Sequence, residues 1–374
     1  MSFVHLHVHS EYSLLDGMCR IDELIAEAKK HDMPAVALTD HGALYGAFKF
    51  FIKAKDAGIK PIIGCELYKA KGDRFSKPEK GERNVYHLLT LAKNLEGYQN
   101  LLKLVTRGNL EGFHYKMRVD WELLELYHDG LIATTSCLAG EVPQLILQDQ
   151  HEQAENMLKK YHSIFGKDYY IELQRHPDMP QLDKVNDVLV KFSRKHGIPL
   201  IATNDVHYLQ KDDAYAQEIL LCIQTQRSII EKNRPMSMID TPDYYFKSEA
   251  EMRTLFHDYP EAIDNTVKLA AECELEIPHG KLILPKYVLP PGYTHESYLR
   301  EMAHAKKDRV KGFDDKAITE RLDYELGIIS SKGYAPYFLF VQDVVNWAKD
   351  SGIAVGPGRG SAAGSLVSYV LRIT

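Results

Sequence analysis

At 374 residues the chain is longer than a usual single domain, so it has room for a sizeable core and for more than one domain. With 45% hydrophobic and 26% charged residues, and no stretch approaching 18 uninterrupted apolar residues, the composition is that of a soluble protein and excludes a membrane-spanning helix. A net charge of -6 excludes phosphate attraction by the whole surface as the main means of holding nucleic acid.

In chain order, the sequence predicts strands at 3–9, 35–40, 60–68, 85–91, 131–137, 169–174 and 198–204. Helical spacing occupies 21–31, 42–57, 95–107, 151–165 and 180–196 between most of them. Such alternation implies a parallel sheet, because parallel neighbours need a crossover connection. Seven strands suggest a closed or nearly closed barrel. The start lacks the basic and long apolar regions of a signal peptide. The cysteines (Cys19, Cys65, Cys137, Cys222, Cys273) are scattered and never paired as C-x-x-C, which points to a reducing cytoplasm. Pro and Gly cluster from Ile277 to Gly292, and a boundary there divides 1–275 from 276–374. Residues 275–374 carry 13 Lys plus Arg and 11 Asp plus Glu, so the acidic surplus belongs to the first part.

The sequence holds 17 histidines, and three fall within the first nine residues. Period-two alternation puts Val4, Leu6 and Val8 on one face of the first strand and His5, His7 and His9 on the other. Later strands carry ligand-type residues within or near their ends: Asp40, His41, Glu66, His87, Cys137, Asp205 and His207. In a parallel α/β barrel the C-terminal ends of the strands converge around the axis, which is where catalytic side chains gather. Taken singly, each of these residues reads more readily as a structural or surface histidine, a small buried cysteine or a helix cap than as a ligand. Their recurrence at one end of the sheet points to a metal cluster. Imidazole, carboxylate and thiolate suit zinc, manganese or iron, and a set this large has ligands for two or three divalent ions. Such ions lower the pKa of water and stabilise the attacking and leaving oxygens of phosphoester hydrolysis.

These residues resemble the PHP (polymerase and histidinol phosphatase) family, whose signature is H-x-H-S/T followed by dispersed ligands on a distorted seven-stranded barrel. His7-Val8-His9-Ser10 matches the first motif, and Asp16, in the Asp16-Gly17 turn, matches the next ligand. His41, Glu66, His87, Cys137, Asp205 and His207 match the remaining ligand positions. Asp40 is a candidate proton acceptor or orienting group, and His5 a candidate outer partner of the ligands. Residues 334–374, with Gly356-Pro357-Gly358-Arg359-Gly360-Ser361, resemble the beginning of the palm of the bacterial DNA polymerase III alpha family, the C-family replicative polymerases. Residues 240–248 and 260–266 also resemble that family; Arg372 stands where relatives more often carry Gly.

The resemblance implies a distorted (βα)7 TIM-like barrel followed by an incomplete α+β palm segment. It implies Arg359, Gly360 and Ser361 as contacts for nucleotide phosphates, with Ser361 opening a helix-like run. The magnesium-binding acidic residues of such polymerases lie beyond this segment, so the chain is expected to be an N-terminal fragment unable to polymerise alone. The leading functional expectation is a 3'-to-5' proofreading exonuclease, acting on the 3' end of DNA beside other replicase subunits. The alternatives are a pyrophosphatase or phosphomonoesterase, or a barrel braced by metals that serves as a docking platform.

Overall fold

The computed structural model of the chain describes residues 2–77, 84–231, 233–281, 283–356, 358 and 360–374. They form two compact units, Met1–Ile277 and Pro278–Thr374.

The first unit is built on six strands: β1 (Ala35–Leu38), β2 (Lys60–Ala70), β3 (Val85–Ala92), β4 (Leu131–Thr134), β5 (Tyr169–Gln174) and β6 (Leu200–Thr203). They lie side by side in chain order. The pairs β1–β2, β4–β5 and β5–β6 are parallel, as the alternating pattern implies. The expectation of an all-parallel sheet fails at β3, which runs antiparallel to both β2 and β4. No helix among the described residues separates β2 from β3, and a parallel return would need one. The two long strands therefore pair as a hairpin, from Gly64 opposite Leu91 to Ala70 opposite Val85.

Residues 5–9 occupy the seventh position without forming one regular strand. On one side Ala37 N donates to His5 O (2.9 Å) and Thr39 N to Val8 O (2.9 Å). On the other Val206 N donates to His7 O (3.0 Å) and His9 N to Val206 O (2.7 Å), just past β6. The N-terminal stretch thus bridges the two ends of the sheet. Between its bonds to Ala37 and Thr39 it advances one residue more than its partner, which is a β-bulge, and a bulge re-aims the side chains beyond it.

The packing reflects that switch. Val4 and Leu6 join Ala35, Ala37, Ile62, Leu91, Ile132, Tyr170 and Ile201 in one buried cluster, whereas Val8 joins Val36, Leu38 and Ile63 in another. A cluster fed by every strand is the inside of the ring. Leu269 and Ala270, from the helix Pro260–Glu272, enter the same cluster. Thr266 Oγ1 accepts from Val4 N, and Lys60 Nζ donates to Ala270 O, so this helix covers the end where the strands start. The opposite end is left for the ligand-type residues.

The surrounding helices follow the predicted spans, among them Ile21–Lys30, Leu95–Gly112, His151–Phe165 and Pro180–His196. Local chemistry sets their ends. Asn94 caps the second of these by accepting from Gly97 N, and Gly197, at φ 69°, terminates the last.

The second unit packs the helices His295–Ala305, Asp315–Ser331, Ala335–Asp350 and Leu366–Val370 around Leu299, Leu322, Leu326, Leu339 and Val367. Its described residues contain no strand, so the α+β expectation for 276–374 is met there only in its helical part. Apolar positions in this stretch recur at three- and four-residue spacing, which specifies helices. Ser361 opens only a short 3-10 turn, Ser361–Gly364; the helix begins at Leu366 because Ser365 caps it by accepting from Ser368 N. Arg359 lies outside the described residues. Arg372 adopts the left-handed region at φ 63°, the conformation that favours glycine, and pairs with Asp350 at 2.7 Å.

One buried ion pair braces the wall of the barrel. Lys69 Nζ donates to both carboxylate oxygens of Glu141 (2.8 and 3.0 Å), lies 4.3 Å from the Trp121 ring centroid, and Tyr161 Oη donates to the same carboxylate (2.9 Å). Removing one partner of such a pair costs ~3–5 kcal/mol, because the other charge is left buried and unpaired. Thermal unfolding should show that loss for Lys69→Met, and recover much of it in Lys69→Met/Glu141→Leu.

Candidate metal centre

The nine ligand-type residues arrive from separate segments at the open end of the barrel. His7 and His9 follow the bulge. Asp16 sits in a tight turn closed by Asp16 N and Gly17 N donating to Ser13 O (2.9 Å each). His41 lies just past β1, Glu66 inside β2 and His87 inside β3. Cys137 follows Ser136, whose φ of 61° ends β4 short of the predicted 137. Asp205, at φ 50°, and His207 follow β6.

Glu66 is the hub of this convergence. Its Oε1 lies 3.0 Å from His87 Nδ1, 3.3 Å from His7 Nε2 and 3.4 Å from Cys137 Sγ; its Oε2 lies 2.8 Å from His41 Nδ1 and 3.6 Å from His9 Nε2. Asp205 is a second centre: its Oδ1 is 3.3 Å from His7 Nε2, 3.2 Å from His9 Nε2 and 3.6 Å from His207 Nδ1. Asp16 adds a third, 3.1 Å from His41 Nε2 and 3.9 Å from His207 Nε2. Three overlapping triads have all their ligand atoms within 4.8 Å of one another: His7-His9-Glu66, His9-His41-His207 and His41-Glu66-His87. Shared corners at His9, His41 and Glu66 suit adjoining ions better than one isolated ion.

A divalent metal fits this donor set. His7 Nε2, His9 Nε2, Asp16 Oδ1, His41 Nδ1, Glu66 Oε2 and Asp205 Oδ1 are all buried and make no hydrogen bond outside the cluster, their near polar neighbours being one another. Orphaned polar atoms are costly in a protein interior, and six aimed at a common space imply a group that satisfies them. The electrostatics agree. Burial works against a charged His41, but the Glu66 and Asp16 carboxylates outweigh it and push the imidazole up to about 10. His7 is likewise held well above its ordinary value: burial opposes the charge, and Asp205, Glu172 and Glu66 overcome it. His9 goes the other way, pushed down to about 3 by burial and by His41 and His207. The carboxylates thus draw positive charge into a buried site, and divalent cations supply it more fully than protons.

Around the ligands lies a layer of orienting groups. Glu172 on β5, which sequence reasoning missed, pairs with His7 Nδ1 at 2.7 Å and accepts from Thr134 and Thr203 hydroxyls. Its only sequence signal is an acidic residue between Ile171 and Leu173 in a largely apolar strand. Ser13 Oγ meets His9 Nδ1 (3.1 Å) and donates to Asp40 Oδ1 (2.8 Å), and Asp40 also accepts from Ser10 N and Ser10 Oγ. The Asp40 carboxylate is therefore engaged with hydroxyls and acts on the ligands through Ser13. His5 does not join the centre. Because the bulge falls after it, its ring packs against Phe3 and Phe246 and its Nε2 meets Lys247 O (2.8 Å), away from His7 and His9. Gly360 and Ser361 lie in the second unit.

Residues 5–176 match the PHP domain family, and residues 297–374 match the bacterial DNA polymerase III alpha NTPase domain. The whole chain is 48% identical to the DNA polymerase III subunit alpha of Borreliella burgdorferi and 45% identical to that of Treponema pallidum, covering 32% of each relative. This chain belongs to the bacterial DNA polymerase III alpha family. It spans about a third of the length of the curated relatives it matches. Among solved structures, an amidohydrolase from Chromobacterium violaceum, with sulfate and no metal, is similar over 55% of this chain and 88% of its own. The two are 15% identical, with a TM-score of 0.36. The ligand-type residues and their orienting groups all come from the residue 1–277 unit.

Two outcomes follow for metal binding. Glu172→Gln should keep the fold and lower metal affinity roughly 10–100-fold, measured by competition with a chromophoric chelator. Because raised imidazoles must lose protons to ligate, binding should release protons and tighten as pH rises, which calorimetry in buffers of different ionisation enthalpy will register.

Proposed function

We propose that His7, His9, Asp16, His41, Glu66, His87, Cys137, Asp205 and His207 hold two or three divalent ions, zinc, manganese or iron, and that the centre hydrolyses phosphodiesters. Its substrate on this reading is the 3' end of DNA, and its role is 3'-to-5' proofreading within a longer replicative polymerase of the cytoplasm, alongside other replicase subunits. The observation that carries the reading is the set of six buried ligand atoms that face one another and make no hydrogen bond outside the cluster. Ions in such a centre lower the pKa of water and stabilise the attacking and leaving oxygens of an in-line displacement.

The chain's own residues would do the positioning. Glu66 belongs to two of the three triads, so its carboxylate would serve as a ligand in both. Glu172 fixes the His7 ring, and Ser13, itself held by Asp40, fixes His9. Cys137, partly buried, has its thiol held well above its ordinary value by burial and by Glu66, which suits a ligand that deprotonates only beside a cation and argues against a free nucleophile. The acidic surplus of this unit is no obstacle to a nucleic-acid substrate, because bound cations reverse the local sign. Gly360 and Ser361, with Arg359, belong to the same proposal as nucleotide contacts of the parent polymerase.

The test counts bound metals, then offers 3'-tailed DNA, pyrophosphate and a simple phosphomonoester to the wild type and to His9→Ala. Mononucleotides released from the 3' end, and reduced more than about 100-fold by His9→Ala, are expected. Turnover of pyrophosphate or the monoester alone would replace the exonuclease with the corresponding hydrolase. A fully metallated protein that hydrolyses none of them, with only a lowered melting temperature in the variant, would leave the metals as a brace.

A further inference from the structure

Beside the metal centre lies a cavity of about 220 Å³ whose walls include Asp16 and His41 from the ligand set and Tyr68, Lys116, Tyr45 and Leu14 from outside it. Among the described residues lining it, Lys116 supplies the single Lys or Arg. Its Nζ donates to Tyr68 Oη (3.0 Å) and sits 4.2 Å from the Tyr68 ring centroid. The Tyr68 ring in turn stacks on His41 (centroids 5.8 Å apart, planes 19° apart) and meets His87 edge-on at 5.3 Å. A cationic donor and a phenol therefore stand next to the ligands on the wall of a cavity that reaches them.

Two features hold this pair in place. Gly42, at φ 56°, presses its backbone on the Tyr68 ring: a Cβ there would lie 3.1 Å from the ring and 2.9 Å from the Met117 side chain. The turn carrying Lys116 is closed by His114 N donating to Lys116 O (3.0 Å), with Tyr115 in the left-handed region at φ 61°. A non-glycine residue held in that conformation is a strained turn, and such turns cluster at ligand-binding sites.

We propose that Lys116 and Tyr68 form the phosphate-recognition arm of the centre, gripping a non-bridging oxygen of the substrate phosphoryl group while the ligand cluster faces its other oxygens. Tyr68 accepts from Lys116, which leaves its own hydroxyl proton to donate to the phosphoryl oxygen, and the ammonium adds charge-assisted bonds. The proposal rests on the phosphodiesterase reading for its substrate, but its binding test does not need turnover.

The metal-loaded 374-residue chain is titrated with inorganic phosphate by calorimetry, and its hydrolysis of bis(p-nitrophenyl) phosphate is followed, for the wild type, Lys116→Ala, Lys116→Arg and Tyr68→Phe. Lys116→Ala and Tyr68→Phe should each weaken phosphate binding about tenfold or more and raise KM more than they lower kcat, with metal content unchanged. Lys116→Arg should stay within about threefold of wild type, since the charge and donors are kept. Equal phosphate affinity in wild type and Lys116→Ala, no phosphate binding by the wild type, or loss of metal together with phosphate in Lys116→Ala would each overturn the arm. Lys116-dependent phosphate binding by a protein that hydrolyses no phosphodiester would overturn the hydrolytic reading and leave the arm standing.

Discussion

A carboxylate buried in the middle of a β-strand is the constraint on which the centre is organised. Glu66 is 1% exposed, and an ionised carboxyl at that depth is tolerated only when partners surround it. Its partners come from the bulged N-terminus, from the segment after β1, from β3 and from the segment after β4. Bringing them together requires close approach of the strands, and Gly64, two residues before Glu66, permits it. A Cβ at Gly64 would lie 2.4 Å from Thr90 O and 2.6 Å from the Leu91 side chain. The glycine and the glutamate therefore work as one device, the first narrowing the gap between β2 and β3 and the second filling the space at its edge.

The same logic explains why the acidic unit is suited to an anionic substrate. Glu66, Asp16 and Asp205 are all held below their ordinary values: in each, burial opposes ionisation and the surrounding imidazoles overcome it. Without cations, protons on His7 and His41 balance that charge; with cations, the imidazoles are freed to ligate. A bare count of charges treats these carboxylates as repulsive surface. Their burial makes them the means by which positive charge is gathered at one point.

Much of the centre was legible in the sequence because ligand chemistry is restricted to few residue types. His, Asp, Glu and Cys within or just past apolar strands are conspicuous, and eight of the residues read there, joined by Asp16 from the family resemblance, are the ones that meet in space. What escaped the reading depended on neighbours remote in the chain. Glu172 sits in a strand that looks like core, and only its contact with His7 shows its part. Tyr68 and Lys116 are ordinary in sequence, 48 residues apart, and meet through a turn that spacing cannot foresee. His5 shows the converse error: alternation grouped it with His7 and His9, and one extra residue in the strand separated them.

By itself, the sequence determined the kinds of chemistry on offer and the helical spans, because side-chain composition and apolar spacing act locally. It also carried the family resemblance, in motifs short enough to be read along the chain. Tertiary structure decided the direction of β3, the bulge that turns His7 and His9 inward, and the meeting of Glu66 with its imidazole, thiol and hydroxyl partners. Those outcomes depend on backbone hydrogen bonds between distant segments, and pairing of that kind is settled only when the sheet closes.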